Sequence, residues 1–213
     1  MPRRLLAALL AAWTLLPLAA SGAVDHERWA IKTHFRHPRQ KPKLVALSEL
    51  KRLPSFTQDK WSDFDASYIP DSPGEGLHEG DMVKTRGWIQ ALKYSADDDD
   101  YHIQMVDDST GGSECFIVEV PKAGFEALRR KILTTCSQGK YTEFSRSGNR
   151  MEHPVPCVVA GQLFYDASHG SDPGARGIKG RKASTAWEIH PVKSVTWTGH
   201  PKRSRPSGGG GEL

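Results

Sequence analysis

Three short segments of the chain alternate apolar and polar residues, the period of a half-buried β-strand. They cover residues 101–106, 115–120 and 186–192. One phase of this alternation is apolar and suits the interior of a sheet or barrel. The other phase carries two imidazoles and two carboxylates: His102, Glu119, Glu188 and His190. If the three strands are neighbours, these side chains share one outward surface, which is either a functional site or a solvated sheet face.

Two more strands and one helix complete the predicted order of elements. A long strand over 82–94 contains Gly87, which suggests a bulge or a sharp bend. Apolar residues at helical spacing after the third strand predict a helix that ends by Gly139, and a fourth strand covers 157–165. The fifth strand extends to about residue 197, and Pro191 within it indicates an edge position or a bulge.

This order favours a mainly β fold, a five-stranded Greek-key barrel of the OB type with one helix between the third and fourth strands. A long, bent first strand suits such a barrel because it must pair on both of its edges. The alternative is an open α+β sheet.

The N-terminus has the pattern of a secretory signal peptide over residues 1–23. Arg3 and Arg4 precede an apolar run over 5–20, and the small residues Ser21 to Ala23 offer a cleavage site. We therefore expect a secreted or periplasmic protein without a membrane span in the mature chain. The alternative is an uncleaved N-terminal anchor.

The remaining chain divides into an extension, one domain and a tail. Residues 24–79 are basic and rich in loops, with a short strand suggested near Trp29 and a short helix or turn over 44–50. Residues 80–198 form the barrel domain, in which the Gly-rich, basic stretch 167–184 is predicted to be a mobile loop. The polar tail over 199–213 is predicted to be disordered.

Export would place the three cysteines in an oxidising compartment. One disulfide and one free thiol are then the simplest expectation. Cys136 closes the predicted helix and Cys157 opens the fourth strand, so we predict a Cys136–Cys157 disulfide, although Cys115 could replace one partner.

Three motifs lie on these strands: Asp99-Asp100-Tyr101-His102-Ile103, Ile117-Val118-Glu119-Val120-Pro121 and Glu188-Ile189-His190-Pro191-Val192. Together they resemble a family of exported bacterial proteins of uncharacterised function, which share D-Y-H-L, I-x-E-x-P and E-[IL]-H-P-V segments. The resemblance covers roughly residues 81–195. It implies an OB-like barrel and export, and it carries no activity, substrate or cofactor.

The imidazoles and carboxylates of the outward phase are the candidate catalytic residues, namely His102, Glu119, Glu188 and His190. Such a set could hold a divalent metal and, with a bound water, hydrolyse a phosphodiester or another ester. It could equally form cross-strand hydrogen bonds that fix the barrel register. No H-E-x-x-H, Ser-centred elbow or P-loop is present, so we assign no cofactor and no metal site.

A second hypothesis is ligand binding through aromatic platforms and bases, as in other OB-folds. The candidates are Trp88, Tyr94, Lys84, Arg86, Arg181 and Lys182. They would suit an anionic polymer or a protein partner. The net charge of +4 includes Arg3 and Arg4, so the mature chain would carry 4 − 2 = +2, which is too small to imply nucleic acid. The acidic run over 97–100, predicted to be a solvated turn, would repel a phosphate backbone. We therefore favour a binding or structural module over a metal-dependent hydrolase or nuclease.

Overall fold

The computed structural model describes residues 28–56 and 67–199. The helices are α1 (Trp29–Thr33), α2 (Leu47–Leu50) and α3 (Glu126–Ser137), with 3-10 helices at Ala167–His169 and Pro173–Arg176. The strands are β1 (Lys43–Leu44), β2 (Met82–Ser95), β3 (Asp100–Val106), β4 (Glu114–Val120), β5 (Asn149–Tyr165) and β6 (Lys182–Trp197). The predicted signal peptide and residues 200–213 of the predicted tail lie outside the described residues.

Five strands close into a mixed barrel. β2 pairs antiparallel with both β3 and β5, and β3 pairs antiparallel with β4. β6 closes the barrel by pairing parallel with β4 and antiparallel with β5, while β1 adds a short parallel edge to β2. With α3 between β4 and β5, the predicted five-stranded Greek-key barrel is confirmed.

The apolar phase of each strand forms the interior, as the alternation predicted. Phe116 and Val118 of β4 pack with Ile103 of β3 and with Trp187 and Ile189 of β6 in the main core. All five are fully buried. Burying side chains of this size contributes about 1.5–3 kcal/mol each, so this phase fixes which face of each strand turns inward.

β2 and β6 are both irregular, for different reasons. A Cβ on Gly87 would lie 2.7 Å from Leu47 Cδ2 and 2.9 Å from the Val106 carbonyl oxygen, so glycine permits a close approach there. The register shift of β2 comes slightly later, between Ile89 and Ala91. β6 pairs with β4 only as far as Ile189 and beyond that residue with β5 alone, so Pro191 lies where one side of this strand is unpaired and the predicted edge position holds locally. The register of β6 against β5 also shifts around that proline, which confirms the bulge.

The N-terminal segment is tied to the barrel by a buried ion pair. Arg28 Nη1 and Nη2 donate to Glu79 Oε1 and Oε2 at 2.8 and 2.6 Å, and Glu79 also accepts from the backbone of Ile69 and Tyr165. The strand suggested near Trp29 is wrong. Those residues form α1, which packs against β6. The helix expected within 44–50 is present as α2, whose Leu47 and Leu50 enter the main core.

The predicted Cys136–Cys157 disulfide is wrong, because all three cysteines are free and buried. Cys136 and Cys157 belong to the main core, and Cys115 lies in a smaller apolar cluster with Ile117 on the outer side of the barrel. Each behaves as a small apolar side chain. Burial raises the pKa of the Cys115 and Cys157 thiols to about 12.

No helix in the described part of the chain is long and apolar enough to cross a membrane.

Candidate functional site

The four residues singled out by the alternation do come together. His102 and Glu119 are register partners on β3 and β4, with His102 Nδ1 2.6 Å from Glu119 Oε1. The parallel pairing of β4 with β6 brings in His190, whose Nδ1 lies 3.2 Å from Glu119 Oε2 and 3.0 Å from Glu188 Oε1. We call these four residues the polar cluster, together with four neighbours described below: Asp100, Asp166, Lys32 and Arg176.

The polar cluster points away from the barrel interior, yet it is not solvated. His190 is 0% exposed, Glu188 1%, His102 4% and Glu119 7%. Lys32 of α1 lies close enough to interact with Glu119 and Glu188 from above the sheet. The alternative of a solvated sheet face is therefore wrong, because other parts of the chain cover this face.

Asp100 is a member of the polar cluster that sequence reasoning placed in a solvated turn. Its neighbour Asp97 is exposed, but Asp100 itself is completely buried. Asp100 Oδ2 lies 3.0 Å from His190 Nε2, although the two groups are not aligned for a hydrogen bond. Asp100 precedes His102 by two residues, so extending the alternation by one pair would have identified it.

A segment between β5 and β6, residues 166–181, closes over the polar cluster; we call it the strap. Arg176 Nη1 donates to Glu188 Oε2 at 2.5 Å and to Asp166 Oδ2 at 3.0 Å, and Nη2 donates to the Thr185 carbonyl oxygen at 2.6 Å. Asp166 Oδ2 also lies 2.8 Å from His169 Nδ1. No local pattern in the sequence indicated these contacts. The mobility predicted for this stretch stays a prediction.

The members of the polar cluster have pKa values shifted in different directions. Burial by itself would raise the pKa of Glu119, but hydrogen bonds from His102 and His190 hold that pKa well below its ordinary value. Burial disfavours a charged His190, yet Asp100, Glu119 and Glu188 together raise the pKa of His190 well above its ordinary value. Burial and the neighbouring Glu119 raise the pKa of Glu188.

The polar cluster is short of positive charge. Its buried carboxylates are Asp100, Glu119, Asp166 and Glu188, and its buried permanent cations are Lys32 and Arg176. Burial disfavours the Lys32 ammonium, but the surrounding carboxylates outweigh this effect and raise its pKa. Two of the four carboxylates therefore lack a permanent countercharge, and a proton on His190 or a bound cation would supply positive charge there.

Three members have the spacing of metal ligands. One ligand atom from each of Asp100, Glu119 and His190 can be chosen so that all lie within 4.8 Å of one another. Imidazole and carboxylate are suitable donors for zinc, manganese or iron, with bonds of about 2.0–2.2 Å to zinc. His102 and Glu188 lie outside this group and contact Glu119 and His190 as supporting residues.

The candidate ligand-binding residues divide between several places. Lys84, Arg86 and Trp88 occupy alternate positions on the outer side of β2, where Arg86 is exposed and the other two are half-buried. Tyr94 lies at the far end of β2, with the Arg129 guanidinium 5.7 Å from its ring centroid. At the start of β6, Lys182 is exposed while Arg181 is buried.

Comparison of the chain with protein-family models, with curated proteins and with solved structures finds no match. The resemblance to exported bacterial proteins and the predicted export therefore stay predictions.

Proposed function

We propose that the barrel is a cation-binding module in which Asp100, Glu119 and His190 hold one divalent metal ion. The observation that supports this most directly is the state of Asp100. It is completely buried, and neither carboxylate oxygen has a hydrogen-bond partner among the described residues. His190 Nε2, which is 3.0 Å from Asp100 Oδ2, also has none. Buried polar atoms without partners are unfavourable, and a shared cation between these two groups would satisfy both.

The supporting contacts suit a metal centre. His190 Nδ1 lies 3.0 Å from Glu188 Oε1, so a proton donated from Nδ1 to Glu188 leaves the Nε2 lone pair directed towards Asp100. This arrangement fixes the orientation of a ligating imidazole. Two carboxylates and one imidazole favour a transition metal or zinc over calcium, which takes oxygen ligands.

The burial of the polar cluster favours a stabilising metal over a catalytic one. The three proposed ligands come from β3, β4 and β6, so one ion would join three barrel strands. A catalytic metal needs a position open to substrate, whereas Lys32 and the strap cover this face.

The test is metal analysis of the purified full chain, followed by calorimetric titration of the EDTA-treated protein with zinc and with manganese. We expect about one ion per chain and saturable binding, both lost in Asp100→Asn. The matched control Asp97→Asn changes an exposed carboxylate three residues away and should bind as the unchanged protein does. Circular dichroism establishes that each variant is folded. Absence of stoichiometric metal together with no saturable binding by the folded, unchanged protein would overturn the proposal.

A metal-dependent hydrolase is the second candidate, and one observation favours it. His102 Nδ1 is 2.6 Å from Glu119 Oε1, while His102 Nε2 has no partner among the described residues. An imidazole oriented by a carboxylate, with its second nitrogen free, is the arrangement of a general base. A substrate would have to displace the cover to reach it.

An assay with zinc or manganese added distinguishes the two functions. It measures hydrolysis of a phosphodiester and of a carboxylic ester. We expect no turnover above the metal alone. Metal-dependent turnover that His102→Gln abolishes, without loss of bound metal, would instead favour the hydrolase.

A further inference from the structure

An exposed aliphatic side chain lies on the outer side of the short edge strand β1. Leu44 is 68% exposed, and only it and Tyr141 are large, exposed apolar residues in the described part of the chain. Val45, the next residue, packs in the main core, so Leu44 points away from the barrel. Leu44 is in register with Lys84 in a parallel pair, which places their side chains on the same side of the sheet.

The same side of β2 continues with bases and an indole. Val83 and Ile89 face the main core, so Lys84, Arg86 and Trp88 project outward beside Leu44. Their register partners on β5 are uncharged: Ala160, Val158 and Pro156. We call Leu44, Lys84, Arg86 and Trp88 the outer face. It combines two bases with two apolar groups and has no acid on these paired positions.

Further positive charge lies at one end of the outer face. Arg39 and Lys41 are exposed in the segment that leads into β1. Arg36 and Arg39 line an open groove of about 490 Å³ whose one acid is Asp81. Bases near a surface of anionic headgroups act together because each is attracted to the same potential.

We propose that the outer face rests on a membrane surface that contains anionic phospholipid. Lys84 and Arg86 would contact headgroup phosphates, while Leu44 and the half-buried Trp88 would enter the boundary between headgroups and acyl chains. Indole rings and aliphatic side chains are stabilised at that boundary because it removes apolar surface from water. A dissolved polyanion offers no apolar region for Leu44, which is why the exposed leucine favours a lipid surface over a nucleic acid or an acidic polysaccharide.

This proposal does not depend on the metal centre. The ligands of the proposed centre are on β3, β4 and β6, whereas the outer face is on β1 and β2. Loss of bound metal and loss of membrane binding are therefore separable by variants.

The experiment is co-sedimentation of the full chain with phosphatidylcholine vesicles and with vesicles that also contain phosphatidylglycerol. The neutral vesicles give the baseline, which includes any contribution of the apolar run over residues 5–20. We expect stronger binding to the anionic vesicles, decreasing as salt rises. The double variant Lys84→Gln/Arg86→Gln should weaken that binding by about 30-fold, and Leu44→Ser by about tenfold.

Matched controls use exposed residues elsewhere: Tyr141→Ser for Leu44, and Arg130→Gln/Lys140→Gln for the two bases. Both controls should bind as the unchanged protein does. Equal binding to neutral and anionic vesicles would overturn the proposal. It would also be overturned if Leu44→Ser left vesicle binding unchanged while a DNA oligonucleotide or heparin bound through Lys84 and Arg86, since that result indicates a dissolved polyanion.

Discussion

Arg176 Nη1 lies 2.5 Å from Glu188 Oε2, and this contact joins the strap to the closing strand of the barrel. Both side chains are almost completely buried. The same guanidinium nitrogen reaches Asp166 Oδ2 at 3.0 Å, so one cation serves two buried carboxylates. The cover of the polar cluster is therefore held by charge as well as by packing.

Arg176→Met should destabilise the protein strongly. The substitution removes the cation and leaves Asp166 and Glu188 buried without it, a situation that typically costs about 3–5 kcal/mol. Urea unfolding at neutral pH measures the change. Arg130→Met, at an exposed position on α3, should change the free energy of unfolding by no more than about 0.5 kcal/mol. A loss below about 1 kcal/mol for Arg176→Met would show that the strap does not depend on this ion pair.

Stability should depend on pH through the pair formed by His169 and Asp166. A hydrogen bond to Asp166 raises the pKa of His169 above its ordinary value of 6.5. Despite burial, Arg176 and His169 hold the pKa of Asp166 well below its ordinary value of 3.8. The contribution of His169 to stability is complete below pH 6.5 and is lost as the pH rises through the pKa that His169 has in the folded protein. The contribution of Asp166 to stability is present above pH 3.8 and is lost as the pH falls through the folded-state pKa of Asp166.

His169→Asn should therefore lower the melting temperature at about pH 5.5 and have less effect at about pH 9, where the unchanged protein has lost the imidazolium. Thermal unfolding across this range measures the difference. Asp166, Arg176 and Glu188 all affect the pKa of His169. The same measurement on Arg176→Met shows how much of the pH dependence comes from Arg176 and not from the histidine. An effect of His169→Asn that is the same at both pH values would contradict a role for its charge.

The thiols offer a direct check on the absence of a disulfide. Cys115, Cys136 and Cys157 are free and buried, and burial raises the pKa of each thiol. Thiolate is the reactive form, so the folded protein should react very slowly with a thiol reagent. In denaturant without reductant, all three cysteines should titrate. A single titratable thiol would mean that two cysteines are bonded.

Gly161 sits where β5 approaches the irregular part of β6. A Cβ there would lie 2.5 Å from both Ile189 Cγ2 and the Pro191 carbonyl oxygen, and 2.9 Å from Val192 Cα. Two of these atoms are backbone and cannot move away, so Gly161→Ala should cost about 1–3 kcal/mol of stability. Gly112→Ala is the control, because its nearest neighbour would be 3.8 Å away. Equal stability of the two variants by urea unfolding would contradict this close approach.

Residue alternation predicted much of the fold because it reports which side of a strand faces apolar surroundings. It placed Phe116 and Trp187 inside and His102 and His190 outside, and both placements are observed. It failed near Trp29, where a helix of five residues forms. A helix of this length is too short to show a helical repeat of apolar residues, and its position depends on the barrel it contacts.

The sequence by itself determined the barrel, its order of strands and the set of His102, Glu119, Glu188 and His190 on one outward phase. Only the tertiary structure decided that this face is buried, that Asp100 and Arg176 belong to it, and that the cysteines stay unpaired. The physical reason is that a local period encodes the direction of a side chain relative to its own strand. What covers that side chain depends on segments distant in sequence, such as α1 and the strap, whose contacts leave no local pattern.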